Sequence, residues 1–165
     1  MATSTLLQSL NTDADFGGVS AAGSSNRRQE EIFLAKETLA VGDWVAFDYA
    51  ATAASDVTLG IFKADGNSSP VRTPFGVVIR SAEPTGTLTA GSRVEVCIAG
   101  VVSAFVSDNA GAGLAIGSLL QITNTAGLAD VASAASAQPV CGILAETVGA
   151  GAGNTQKRVV VIKQF

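Results

Sequence analysis

The stretch from Pro74 to Val106, PFGVVIRSAEPTGTLTAGSRVEVCIAGVVSAFV, constrains the fold more than any other. Val77 and Ile79 alternate with Val78 and Arg80. Val94, Val96 and Ile98 alternate with Arg93, Glu95 and Cys97. Alternation with a period of two over such short runs predicts β-strands that bury one face. The link from Ala82 to Ser92 carries Pro84, Gly86 and Gly91, which suit turns and interrupt a helix. The stretch therefore reads as strand, turn-rich loop, strand.

It also has an echo. Gly76-Val77-Val78-Ile79 returns as Gly142-Ile143-Leu144-Ala145, and Arg93-Val94-Glu95-Val96 returns as Arg158-Val159-Val160-Val161. Upstream, Val41-Gly42-Asp43-Trp44-Val45 is answered by Ile116-Gly117-Ser118-Leu119-Leu120. The order is the same in both halves, and the spacing drifts from 75 residues at the first match to 66 and 65 at the later two. Such drift fits loop-length variation, so the chain reads as a degenerate tandem repeat of one β-unit. The competing explanation is that apolar β-runs resemble one another.

Other strands follow the same logic. Ile32–Ala35 is one. Trp44–Phe47 is another, with Val45 and Phe47 on one face and Trp44 and Ala46 on the other. Val57–Lys63 is followed by the turn Asp65-Gly66-Asn67. Leu119–Thr123 and Leu128–Val131 flank Asn124-Thr125-Ala126-Gly127 as a hairpin. Ala132–Gln138 reads as loop or a single helical turn. Lys157–Phe165 closes the chain, and its VVVI centre is apolar on both faces, as in an interior strand. Short strands punctuated by Gly and Pro predict an all-β fold, a small β-barrel or sandwich, built from two degenerate repeats.

Residues 1–30 differ. They are rich in Ser, Thr, Asn, Gly and Ala, with Leu6, Leu7, Leu10 and Phe16 scattered among them. They read as an extended or partly disordered N-terminal arm that orders against a partner, or as a frayed terminus, with room for a short helix over 3–10. The single all-β domain is expected over 31–165. At the base of the arm stands the densest charge cluster, Asn26-Arg27-Arg28-Gln29-Glu30-Glu31. Arg27 and Arg28 are the candidate partner-binding residues. The alternative is a solvated strand entrance with Arg–Glu pairing.

Composition removes several function classes. Net charge is −4, and no basic stripe supplies the phosphate contacts that nucleic-acid binding needs. No apolar run approaches a membrane span, and no positive n-region marks a secretory signal. Charged residues are 15% of the chain, against roughly 25% in ordinary soluble domains. A surface so weakly charged suits a protein that buries area against partners, and it suits a small-residue β-protein equally well. The chain has no histidine, so Ser-His and Cys-His dyads are excluded. Two cysteines, Cys97 and Cys141, form no zinc site and read as buried thiols or as one bridge. Asp13, Asp15 and Asp65 lack the remaining ligands of a calcium loop. Gly149–Gly153 leads into a strand, whereas a dinucleotide loop opens a helix. Glu83, Glu95 and Glu146 could make a carboxylate pair only through folding. No catalytic, cofactor-binding or metal-binding residue is expected.

Taken together, Asn26-Arg27-Arg28-Gln29, Gly42-Asp43-Trp44-Val45-Ala46-Phe47-Asp48, Pro74-Phe75-Gly76-Val77-Val78, Ala90-Gly91-Ser92-Arg93-Val94-Glu95-Val96, Ala99-Gly100-Val101-Val102 and the segments at Gly117 and Gly142 resemble the head decoration, or cement, proteins of tailed bacteriophages. The resemblance spans roughly residues 26–165. It implies a small β-barrel or sandwich, often trimeric, bound to the outer capsid surface of the virion. There it would bridge major capsid proteins, with no nucleic acid, membrane or cofactor involved. A virion fibre, tail or carbohydrate-binding host-recognition module is the alternative, resting on Trp44 and Tyr49 as a sugar platform. A stand-alone ligand-binding β-domain is a further one.

Overall fold

The computed structural model describes residues 28–47, 60–67, 72–133 and 138–163. They are all-β, with no helix among them. The strands are β1 (Gln29–Ala35), β2 (Trp44–Phe47), β3 (Gly60–Lys63), β4 (Pro74–Ser81), β5 (Arg93–Val106), β6 (Leu119–Ile122), β7 (Ala129–Val131), β8 (Val140–Leu144) and β9 (Thr155–Val161). The expected arm over 1–30 lies almost wholly outside the described residues, as do 57–59 of the third predicted strand, most of the Ala/Ser run and the final two residues.

The strands pair in the order β1-β3-β2-β4-β5-β7-β6-β8-β9, and β5 pairs with β1 and β9 as well. Those two extra pairings close two five-stranded rings. Barrel 1 is β1-β3-β2-β4-β5 and barrel 2 is β5-β7-β6-β8-β9. They share β5, whose 14 residues serve both. Its first half pairs with β1 and β4, and Gly100–Val106 pair with β9. Gly100 stands at the changeover with φ +110°, a backbone state that glycine adopts without strain.

The two barrels have one plan. β1 runs parallel to β3, and the second half of β5 runs parallel to β7. β2 and β6 each take two antiparallel neighbours. The β2–β4 ladder shifts register between Val45 and Ala46, opposite Gly76. The β6–β8 ladder shifts between Leu120 and Gln121, opposite Gly142. A bulge at the same place in both halves is a designed feature of the unit, because it bends the strand where the ring must close. The loop bonds repeat too. Gly42 N–H donates to Val78 O as Gly117 N–H does to Leu144 O, and Ala64 N–H donates to Trp44 O as Ala132 N–H does to Leu119 O. Gly42 and Gly117 hold φ +96° and +86° in the same turn, which an L side chain would strain. The tandem repeat read from three short matches is therefore a repeat of strand order, register and bulge.

One match needs a correction. The ladders equate Val96 with Val159 and Cys97 with Val160, two residues out of step with a match of Arg93 to Arg158. Barrel 1 carries its β4–β5 hairpin further toward the loop, with a bulge between Val78 and Arg80. A slip of two keeps every side chain on its own face, so the pattern alone could not detect it.

Core residues correspond position by position. Barrel 1 packs Ala35, Leu39, Val45, Ile61, Val78, Val96 and Ile98. Barrel 2 packs Val106, Leu114, Leu120, Ala129, Leu144, Val159 and Val161 at the equivalent places. Three positions are aromatic in barrel 1 alone. Phe33, Phe47 and Phe75 fill barrel 1, with Phe47 and Phe75 stacked at 3.9 Å and Phe33 edge-on to both. Their counterparts in barrel 2 are Ala104, Ile122 and Cys141.

Trp44 takes up that difference. It points away from barrel 1, as the alternation predicts, and joins the core cluster of barrel 2 together with Ala46, Ala64, Val77 and Cys97. Its side chain is wholly buried. The indole Nε1 donates to Phe105 O at 3.1 Å. The ring edge lies where a Cβ on Gly142 would be, 2.8 Å away. Backbone bonds lock the seam: Trp44 N–H donates to Gly127 O at 3.1 Å, Gly127 N–H to Ala64 O at 2.8 Å, and Gly66 N–H to Thr123 O at 2.9 Å.

Candidate functional site

The residues singled out in sequence are scattered by the fold. Arg28 sits at the entrance to β1, exposed, with its guanidinium on Glu30. Arg27 lies outside the described residues. Arg28 thus has the Arg–Glu pairing of a solvated strand entrance, and Arg80 and Glu95 form a second exposed pair on the neighbouring strands. Glu30 and Arg28 both act on Glu95, so the four side chains make one charged patch over the outer face of β1, β5 and β4.

The three glutamates do not converge. Each is taken up by its own cation. Glu83 accepts the Arg93 backbone N–H at 3.1 Å and its Nε at 3.2 Å. Glu95 accepts from Arg80. Glu146 accepts Lys157 Nζ at 3.0 Å and stands 3.7 Å from Arg158 Nε. All three carboxyls are held below their ordinary range: Glu83 chiefly by the Arg93 backbone N–H, Glu95 by the Arg80 hydrogen bond, and Glu146 by the Lys157 ammonium. They are fixed anions, and a general acid at neutral pH needs the opposite shift.

Glu83 and Glu146 show what the sequence reading missed. In both barrels an Ala-Glu pair ends the fourth strand of the ring. Ala82 N–H donates to Arg93 O and Ala145 N–H to Arg158 O, while the following glutamate clasps the same arginine. The visible signal was the shared Ala-Glu at 82–83 and 145–146.

The thiols are free and buried. Burial pushes Cys97 up to about 11 and Cys141 up to about 12, so both stay protonated and unreactive. Cys97 Sγ donates to Ala99 O and Cys141 Sγ to Leu120 O, each at 3.4 Å. Among the described residues no group of three or more Cys, Asp and Glu is placed to hold a metal ion. Two buried aspartates have structural work. Asp43 accepts the Ala40 N–H at 2.7 Å and pairs with Lys63 Nζ at 3.2 Å. Asp108 accepts Gly111 N–H at 3.0 Å and Gly153 N–H at 2.8 Å, tying two glycine-rich loops together. The Gly149–Gly153 run is thus one side of a loop–loop contact.

The surface also carries large apolar side chains. Ile32, Val41, Ile116 and Leu119 are large hydrophobic side chains left exposed. Ile32 lies beside the charged patch on β1, and the other three lie at the two equivalent turns.

Comparison with protein-family models and with curated proteins found no match to this chain. Function is therefore argued from the residues and the geometry.

Proposed function

We propose that this protein is a non-enzymatic virion structural protein that binds the outer surface of a phage capsid and reinforces contacts between major capsid proteins. The observation that carries this reading is the exposed apolar set Ile32, Val41, Ile116 and Leu119 on a doubled, hydrogen-bonded β-body. Arg28, Lys63, Arg80, Arg93, Lys157 and Arg158 each stand in an ion pair with a carboxylate. Such a body offers contact area and rigidity, which is what a clamp between shell subunits needs. The net charge of −4 favours the outside of a shell over its DNA-lined interior. Many copies making modest symmetric contacts would reinforce a shell by multivalency. The residue pattern that resembles the cement proteins points the same way. Self-association, a trimer by that resemblance, and docking through Arg27, Arg28 and residues 1–30 complete the proposal.

A carbohydrate-binding module is less well supported, because Trp44 is buried between the barrels and cannot stack on a sugar. Electron cryomicroscopy of virions carrying the protein tests the location. Double-barrel density on the outer shell at positions that bridge capsid subunits is expected. Density at the tail or in fibres, with a bare shell, would overturn the proposal.

A further inference from the structure

The contact that joins the two barrels has an uncovered counterpart. Val41 and Ile116 tip the same turn in the two halves, and Leu119 occupies the position of Trp44. In barrel 1 the backbone of the turn is covered, while the Val41 side chain stays 41% exposed. Gln156 Nε2 donates to Val41 O at 2.6 Å, Phe105 N–H donates to Gly42 O at 2.8 Å, and a Cβ on Gly42 would meet both side chains. In barrel 2 the turn is bare. A Cβ on Gly117 would meet nothing within 4 Å, Ile116 is 64% exposed and Leu119 is 48% exposed. The Gly127 peptide is wedged between Trp44 and Ala64. Among the described residues, no peptide is wedged between their counterparts Leu119 and Ala132.

The covering residues have counterparts as well. Phe105 and Gln156 face each other across β5 and β9, and Leu34 and Arg93 face each other across β1 and β5 in the same register. Ile32 stands two residues before Leu34 on that outward face and is 56% exposed. Barrel 2 thus carries the uncovered turn, and barrel 1 carries a strand pair of the kind that covers it.

We propose that the turn Ile116–Leu119 of one copy docks on Ile32, Leu34 and Arg93 of a second copy, repeating between chains the contact that joins barrel 1 to barrel 2 within a chain. The interface continues the internal one by the same repeat operation. Side-chain size agrees with this. The large Trp44 enters a barrel that has Ala104, Ile122 and Cys141 where the other has phenylalanines. The smaller Leu119 meets the barrel that Phe33, Phe47 and Phe75 already fill. Arg93 Nε is held by Glu83, and a guanidinium carries further N–H donors for the Ile116 carbonyl. The two patches differ, so the contact is heterologous and runs head to tail. This inference rests on the self-association part of the proposed function and sharpens it, assigning Ile32, Ile116 and Leu119 of the exposed apolar set to contacts between copies.

The test is the solution mass of the full chain by sedimentation equilibrium, with circular dichroism as the folding control. The wild type is expected at two or more whole multiples of the 16.5 kDa chain. Ile32→Asp and the double variant Ile116→Asp/Leu119→Asp are each expected to be folded monomers. Thr85→Asp, a charge added on an exposed loop, is expected to leave the mass unchanged. Mixing the two monomeric variants is the decisive arm, since each keeps one intact patch. A one-to-one dimer is expected. A monomeric wild type, variants that keep the wild-type mass, or a mixture that stays monomeric would each overturn the proposal. If the barrel variants do not fold, Arg93→Glu and Ile116→Ser replace them with the same expectations. A wild type that is monomeric and still binds capsids would overturn this interface and leave the virion role standing.

Discussion

Gly142 leaves no room for a methyl group. A Cβ there would meet the Trp44 ring at 2.8 Å and the Val160 carbonyl at 3.0 Å. Gly142→Ala is expected to cost about 1–3 kcal/mol, as overpacking does in a filled core. Trp44→Leu, which writes the barrel 2 residue into barrel 1, is expected to cost about 2–4 kcal/mol through the cavity it leaves. The two should couple, because the smaller side chain gives the new methyl group space. The double variant is expected to be about 1 kcal/mol more stable than the sum of the singles, read by denaturant unfolding followed by circular dichroism, since Trp44 is the lone tryptophan. Strict additivity would mean that Trp44 does not occupy the place described. The sequence made it legible that Trp44 and Ala46 face away from Val45 and Phe47. It could not show that this second face is also a core, because alternation says which residues share a side and not what lies beyond it.

Among the elements, the hairpin clasps set the response to pH. Glu83, Glu95 and Glu146 ionise more readily in the folded chain than in the unfolded one. As pH falls below the ordinary value of 4.5, the unfolded chain takes up these protons first. Their stabilisation is present above that pH and lost as pH drops through the folded values. The thiols work in the other direction. From an ordinary 9.0, Cys97 is raised to about 11 and Cys141 to about 12, so the unfolded chain releases protons first and stability falls as pH rises past 9. Midpoints of urea unfolding across pH are expected to show a plateau between the two declines. Cys97→Ala/Cys141→Ala should remove the alkaline decline alone, and an unchanged alkaline limb would refute the assignment. Most strands were legible from period two and turn residues, including the β6–β7 hairpin. The parallel β1–β3 and β5–β7 pairings were not, because they join segments through long excursions and leave no local mark. Nor was it visible that β5 crosses from one barrel to the other at Gly100.

At the scale of the molecule, duplication explains the architecture. One five-stranded unit is written twice, and the strand where the copies meet belongs to both. The repeat was readable because glycines at 42, 76, 117 and 142 recur in order, each at a turn or opposite a bulge where the backbone demands it. The candidate site was less readable. Arg27 and Arg28 were chosen for charge density, whereas the exposed apolar residues at the turns stand out only once the core has claimed the rest. Those turns, with the acidic body, are the basis of the proposed capsid role. Its most direct test is a binding titration of the full chain against undecorated capsids of the parent phage, measured by co-sedimentation. Saturation at a fixed number of copies per capsid is expected, with a higher temperature of capsid rupture once saturated. Binding that never saturates, or no binding, with rupture unchanged, would contradict it.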